Sequence, residues 1–187
     1  MGPRVIVVAM GLAFAALGCT QPEPTAVLPI FDEAPAMSIV ANGGSNAAVP
    51  LAGDEEVPAR PTRARGSAIF HLDEDGSTLT YKLIVANIEN VVQSHIHIGA
   101  SGTNGAIGVF LYGLVASGGG RTDGVLAEGT ITAADFIGPL AGLTMDDLIA
   151  AMQAGNAYVN VHTNDGVAPT NTGPGDFPGG EIRGQIR

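Results

Sequence analysis

Three short segments hold most of the side chains in this chain that could do chemistry. They are His95-Ile96-His97-Ile98-Gly99, Tyr158-Val159-Asn160-Val161-His162-Thr163 and Gly180-Glu181-Ile182-Arg183-Gly184-Gln185-Ile186-Arg187. In an extended strand, residues i and i+2 share a face. His95 and His97 then point one way, and Ile96 and Ile98 the other. Val159 and Val161 point inward, with Tyr158, Asn160 and His162 outward. Ile182 and Ile186 point inward, with Glu181, Arg183 and Gln185 outward. If the three strands share a sheet, His95, His97, Asn160, His162, Glu181, Arg183 and Gln185 form one polar patch. It would contain three of the chain's four histidines.

Three imidazoles so placed can bind Zn²⁺ or Cu²⁺ and leave a position open for water or substrate, which would support redox or hydrolytic chemistry. With metal–nitrogen bonds of about 2.0–2.1 Å, their ring nitrogens must lie within about 4 Å of one another. Arg183 works against a metal, because a fixed cation repels a second one. Glu181 could neutralise Arg183 and leave the imidazoles free. The competing reading is a hydrogen-bonded network, with His, Asn, Glu and Arg satisfying one another and nearby backbone groups. The sequence leaves both open. His71 lies outside these segments and needs no special role.

Other candidates are weaker. The loop from Asn164 to Pro178 carries Asp165 and Asp176, so a Ca²⁺ site is conceivable, but the spacing matches no EF-hand and a plain loop is the simpler reading. Gly99 to Gly105 is glycine-rich but has no lysine after it, so it is not a phosphate-binding loop. Ser94 and Ser101 lack the Gly-x-Ser-x-Gly context of a serine hydrolase. No catalytic residues are assigned.

The elements that must position the patch are strands. Gly66–Leu72 and Thr78–Val85 flank Asp73-Glu74-Asp75-Gly76, a hairpin signal. Further strands are expected at Val91–Ile98, Ala106–Tyr112, Gly124–Ile131, Ala157–His162 and Gly180–Arg187, with glycines between them. One short helix follows Thr144, a good N-cap. Asp146 and Asp147 lie in its first turn, Leu148, Ile149 and Met152 form an apolar stripe, and Gly155 closes it. At least seven short strands with Gly/Pro turns predict an all-β fold, an immunoglobulin-like antiparallel β-sandwich with one short helix.

The start of the chain reads as an address. Arg4 precedes an apolar run from Val5 to Leu17 that is 13 residues long. A membrane-spanning helix needs about 20, so the run fits a signal peptide over residues 1–18. Ala16-Leu17-Gly18-Cys19 resembles the bacterial lipobox, in which the cysteine is lipidated. Cys19 is the only cysteine, so it has no disulfide partner within the chain. Residues 19–50 contain five prolines and suit a tether, with a weak strand around Met37–Ala41. Without Arg4 the chain carries 7 basic and 18 acidic residues, a net charge of −11. Such a chain offers no phosphate-neutralising surface for nucleic acid and no polybasic patch for anionic lipid.

The segments also carry a resemblance. Leu51 to Pro58 with Glu56-Val57-Pro58, Gly66-Ser67-Ala68, the His95-to-Gly99 run with Gly102 and Gly105, Tyr158 to Thr163, and Pro178 to Ile186 together resemble a CHRD domain over residues 51–187. This module was first named for chordin and occurs in many bacterial proteins. The resemblance implies an immunoglobulin-like β-sandwich and brings no catalytic residues with it. Chordin-type proteins bind growth factors outside animal cells, a partner that a bacterial lipoprotein would not share. Ala59 stands where a second proline is usual, and the stretch between Thr163 and Pro178 is longer than is typical. The His-x-His-x-x-Gly stretch also resembles the copper-binding strand of Cu/Zn superoxide dismutases, over a few residues only. The expected function is a membrane-tethered, extracytoplasmic binding or interaction module of the bacterial envelope without catalysis. Its partner would be a protein or another envelope ligand, and its membrane contact the lipid anchor. The alternative is a metal-binding protein that uses His95, His97 and His162 with Zn or Cu as cofactor.

Overall fold

The computed structural model describes residues 46–187. The leader, Cys19 and the weak strand at Met37–Ala41 lie outside the described residues. Eight strands follow in chain order: β1 (Asn46–Ala52), β2 (Arg65–Leu72), β3 (Leu79–Glu89), β4 (Val91–Ile98), β5 (Ala106–Gly113), β6 (Arg121–Ile131), β7 (Ala157–Thr163) and β8 (Ile182–Ile186). One helix, α1 (Met145–Gln153), separates β6 from β7. Among the described residues, no helix is long and apolar enough to cross a membrane.

All strands belong to one antiparallel sheet in the order β5-β4-β7-β8-β1-β2-β3-β6. The two layers of the expected sandwich are therefore halves of one continuous sheet that curls until its ends almost meet. The Tyr81 hydroxyl of β3 reaches across that seam and donates to the Leu111 carbonyl of β5 at 2.6 Å. Closure of this kind protects edge strands that would otherwise present unpaired backbone groups.

The core is the inner face of this curled sheet. Phe70, Leu79, Leu83, Ile88, Ile96, Val159, Val161, Ile182 and Ile186 have essentially no exposed surface. They occupy the inward positions of the period-2 pattern, which is why the strands were legible. Helix α1 adds Met145, Leu148, Ile149 and Met152 to the same core. Its start is a reciprocal capping box: the Asp147 carboxylate accepts from the Thr144 amide at 2.9 Å, and the Thr144 hydroxyl accepts from the Asp147 amide.

Strand β1 differs from the sequence expectation. Residues 46–50 fall in the proline-rich stretch that suits a tether, yet β1 pairs with β2 along its whole length, from Asn46↔His71 to Ala52↔Arg65. On its other side β1 meets β8 at only one residue pair, Ala52↔Arg183. A proline is tolerated where one flank of a strand makes so little ladder.

Candidate metal centre in a buried polar face

Strands β4, β7 and β8 lie side by side, as the shared polar face requires. His95 pairs with Asn160, His97 with Tyr158 and Gln93 with His162 across β4 and β7. Tyr158 pairs with Gln185 and Asn160 with Arg183 across β7 and β8. The face is not wet, however. His95 is 0% exposed, His97 7%, Asn160 2%, His162 6% and Arg183 1%. Strand β7 is buried on both faces along its whole length.

What covers the face are loops whose backbone groups serve its side chains. The Nδ1–H of His97 donates to the Gly105 carbonyl at 3.0 Å, and that of His162 to the Pro178 carbonyl at 2.9 Å. A carbonyl can only accept, so each ring carries its proton on Nδ1 and has a lone pair on Nε2. The His162 Nε2 faces His95 Nδ1 at 3.2 Å, which makes His95 Nδ1–H the donor of that pair. The buried Nε2 atoms of His95 and His97 have no hydrogen-bond partner. One ligand nitrogen from each of the three rings can be chosen so that all lie within 4.8 Å of one another. That exceeds the roughly 4 Å of a metal-filled site, so the rings would have to draw together on binding an ion.

Gly105 is bound on both sides of its peptide. Its carbonyl takes the His97 proton, and its N–H donates to the Tyr158 hydroxyl at 3.0 Å. A Cβ at this position would collide with the Ile98 carbonyl, so only glycine lets the loop come this close. Tyr158 in turn stacks on His97, with ring centroids 4.9 Å apart and planes 7° apart. Phe110 meets the His95 ring edge-on at 4.4 Å and is 44% exposed, so it forms the outer wall of the cluster.

Burial, helped by the neighbouring His162 and His97, pulls the His95 imidazole down to about 3. Burial also pulls His162 down to about 4, against its hydrogen bond to Pro178. His97 is lowered too, first by burial and further by the Arg183 charge, against its hydrogen bond to Gly105. All three rings are therefore neutral at neutral pH, the form that binds metals.

Arg183 and Glu181 do not pair, which corrects the expectation that one neutralises the other. The Arg183 guanidinium lies 3.5 Å from the Tyr158 ring centre and donates to Thr103 O at 2.9 Å, Gln185 Oε1 at 3.0 Å and Ala100 O at 3.3 Å. The Gln185 amide in turn donates to the carbonyls of Gly99, Gly155 and Ala157. Glu181 sits one residue before β8, after Gly180 at φ +125°. That left-handed turn breaks the strand alternation and sends its carboxylate elsewhere. It accepts from Thr62 Oγ1 at 2.6 Å, Thr163 Oγ1 at 2.7 Å and Gly175 N at 2.8 Å.

Sequence reasoning gave no role to Glu56. This carboxyl is buried, accepts weakly from the Asn160 amide at 3.4 Å, and is pushed up to about 7 by burial, against the pull of Arg183, Arg60 and Asn160. A Cβ on Gly180 would strike both the Asn160 amide and Glu56, so this glycine is also demanded by packing. The Ca²⁺ reading finds no support. Asp165 accepts from the Val167 amide and Asp176 from the amide and hydroxyl of Thr172, each within its own turn. Among the described residues, the three histidines are the one converging group of potential ligands. His71 lies apart on the surface, bonded to Asn46.

A family model described as the CHRD domain matches residues 47–186. The chain belongs to the CHRD domain family. No curated protein and no solved structure matches it. The segments that carried the resemblance meet in space in this CHRD domain. Glu56, His95, His97, Tyr158, Asn160, His162 and Arg183 all belong to them and build the buried polar face, while Glu181, also from them, ties the loops beside it.

The carboxylate of Glu181 ties three otherwise separate parts of the CHRD domain: the loop after β1, the end of β7 and the turn before β8. Charge-assisted bonds of this kind are about twice as strong as neutral ones. Glu181→Gln keeps the shape but puts an NH₂ where a donor already points. Equilibrium urea unfolding should show a loss of about 2–3 kcal/mol, with an unchanged m-value. A loss below about 0.5 kcal/mol would mean that the anion is not needed there.

Proposed function

We propose that this CHRD domain is a non-catalytic, extracytoplasmic binding module, held at a bacterial membrane by a lipid on Cys19. Family membership supports a binding or interaction role. The observation that carries the reading is where the polar groups of the family segments go. They are tied to one another and to loop carbonyls under a closed cover, and do not line an open cleft. That leaves the outward-facing loops bearing Leu114 and Val167 as the surface on which a partner would sit. The Ala16-Leu17-Gly18-Cys19 sequence and the proline-rich stretch after it support the tether and the location.

Two experiments test the two halves of the reading. In a bacterial host fed labelled palmitate, the full chain should become labelled and sediment with membranes, and Cys19→Ser should abolish both. An unlabelled, soluble wild-type chain would refute the anchor. A photo-crosslinking residue at Leu114 or Val167, on loops joined by the Gly118 N–H to Asn164 carbonyl bond, should capture a discrete partner in cells. These side chains are 74% and 65% exposed. Absence of any adduct at these and other loop positions would refute the binding half.

A further inference from the structure

We infer that His95, His97 and His162 form a binding site for one transition-metal ion, zinc or copper. The inference is independent of the tethered-module reading, which stands whether or not metal binds. Three observations carry it. First, three imidazoles from two adjacent strands converge, with ligand nitrogens within 4.8 Å. Second, the rings of His97 and His162 are fixed by Nδ1–H bonds to the carbonyls of Gly105 and Pro178, which turns their Nε2 lone pairs into the site. Metal-bound histidines are oriented in this way by a backbone carbonyl or carboxylate behind the ring. Third, His95 Nε2 and His97 Nε2 are buried with no partner, a costly arrangement for polar atoms that a ligand would satisfy.

The donor set selects the metal class. Three neutral nitrogens with no carboxylate among them suit zinc and copper and do not suit Ca²⁺ or Mg²⁺, which need oxygen ligands. His97 and His162 would ligate through Nε2. His95 would contribute a ring nitrogen after giving up its hydrogen bond to His162. The metal would take the free Nε2 lone pair of His97 and the Nε2 lone pair of His162 that His95 vacates, so the two anchored rings keep their Nδ1 protons and release none.

The test uses the full chain carrying Cys19→Ser, so that no thiol competes. After removal of metals by a chelator, the protein is equilibrated separately with Zn²⁺, Cu²⁺, Cu⁺ under reducing conditions, and Ca²⁺. Elemental analysis should find one zinc or copper ion per chain and no stoichiometric Ca²⁺. His97→Gln and His162→Gln should each weaken binding about a hundredfold, while His71→Gln leaves it unchanged. Should the variants fail to fold, X-ray absorption of the loaded wild type decides: three imidazole nitrogens at about 2.0–2.1 Å support the site. Failure to load zinc or copper, loading through oxygen ligands without imidazoles, or undiminished binding by a folded His97→Gln/His162→Gln chain would overturn it.

Discussion

Arg183→Ala should lower the unfolding free energy by about 3–5 kcal/mol, the largest effect expected of a single substitution in this domain. Arg183 is the largest side chain among those fully buried. Among the described residues the only salt bridges are Lys82–Glu128 and Arg121–Asp123, both exposed, so Arg183 has no carboxylate in direct contact. Carbonyls and the Tyr158 ring hold it instead. Truncation would strip donors from Thr103 O and Gln185 Oε1, at about 1–3 kcal/mol for each acceptor left unpaired, while Ala100 O keeps the Thr103 amide and hydroxyl. It would also leave a cavity against Tyr158. Arg183→Lys should recover little, because an ammonium cannot reproduce the planar fork or stack flat on the ring. Urea unfolding of the two variants checks this. An Arg183→Ala protein within about 0.5 kcal/mol of wild type would mean that this end of the face is open to water.

The second large effect is a loss of stability in mild acid. Each histidine of the cluster has a folded-state pKa below its ordinary value of 6.5, to about 3 for His95 and about 4 for His162, and lowered for His97. Below pH 6.5 the unfolded chain takes up protons that the folded chain refuses. The stability they confer is therefore complete above 6.5 and is lost as pH falls toward 4 and 3. Glu56 has the opposite sign. Its folded-state pKa is raised from 4.5 to about 7, so its contribution is complete below 4.5 and is lost as pH rises toward 7. Between 6.5 and 4.5 His95 and His162 stay neutral and oppose Glu56, a net difference of about one proton, to which His97 adds in the same direction. The unfolding free energy should then fall by at least about 1.4 kcal/mol per pH unit on going down through this window, from a plateau above about pH 7. Urea titrations at pH 7.5, 6.5, 5.5 and 5.0 measure it. Equal stability at 6.5 and 5.0 would show that the cluster is not buried in neutral form. Bound zinc or copper would steepen the fall, because protons and metal compete for the same lone pairs.

The strands around the site were legible because their period-2 alternation is strong. Val159 and Val161 against Asn160 and His162, and Ile182 and Ile186 against Arg183, needed only the pleat to be assigned to faces. Helix α1 was legible from Thr144 and its apolar stripe. The burial of the polar face was not, because the segments that cover it are loops around Gly105, Pro178 and Thr103 with no periodicity to read. Glu56 escaped for the same reason: it follows the short 3₁₀ turn Gly53–Glu55 and meets Asn160 only through tertiary packing. Glu181 was assigned to the Arg183 side by extending the alternation one residue too far, across the left-handed Gly180. Strand β1 was hidden by the proline-rich composition of the stretch it ends, although Asn46–Ala52 alternates regularly between buried and exposed residues.

The central claim is that the polar face of β4, β7 and β8 is closed and presents neutral, carbonyl-anchored imidazoles. Long-range ¹H–¹⁵N correlation spectra of the metal-free wild-type chain at pH 6.0 test it most directly. His97 and His162 should be neutral, with the proton on Nδ1 and the lone pair on Nε2, and the Nδ1 protons should exchange slowly with solvent. His95 should be neutral with its proton on Nδ1, and the exposed His71 should exchange fast. Protonated rings at His95, His97 or His162 at that pH, or Nε2–H tautomers of His97 and His162, would contradict both the closed face and the metal site built on it.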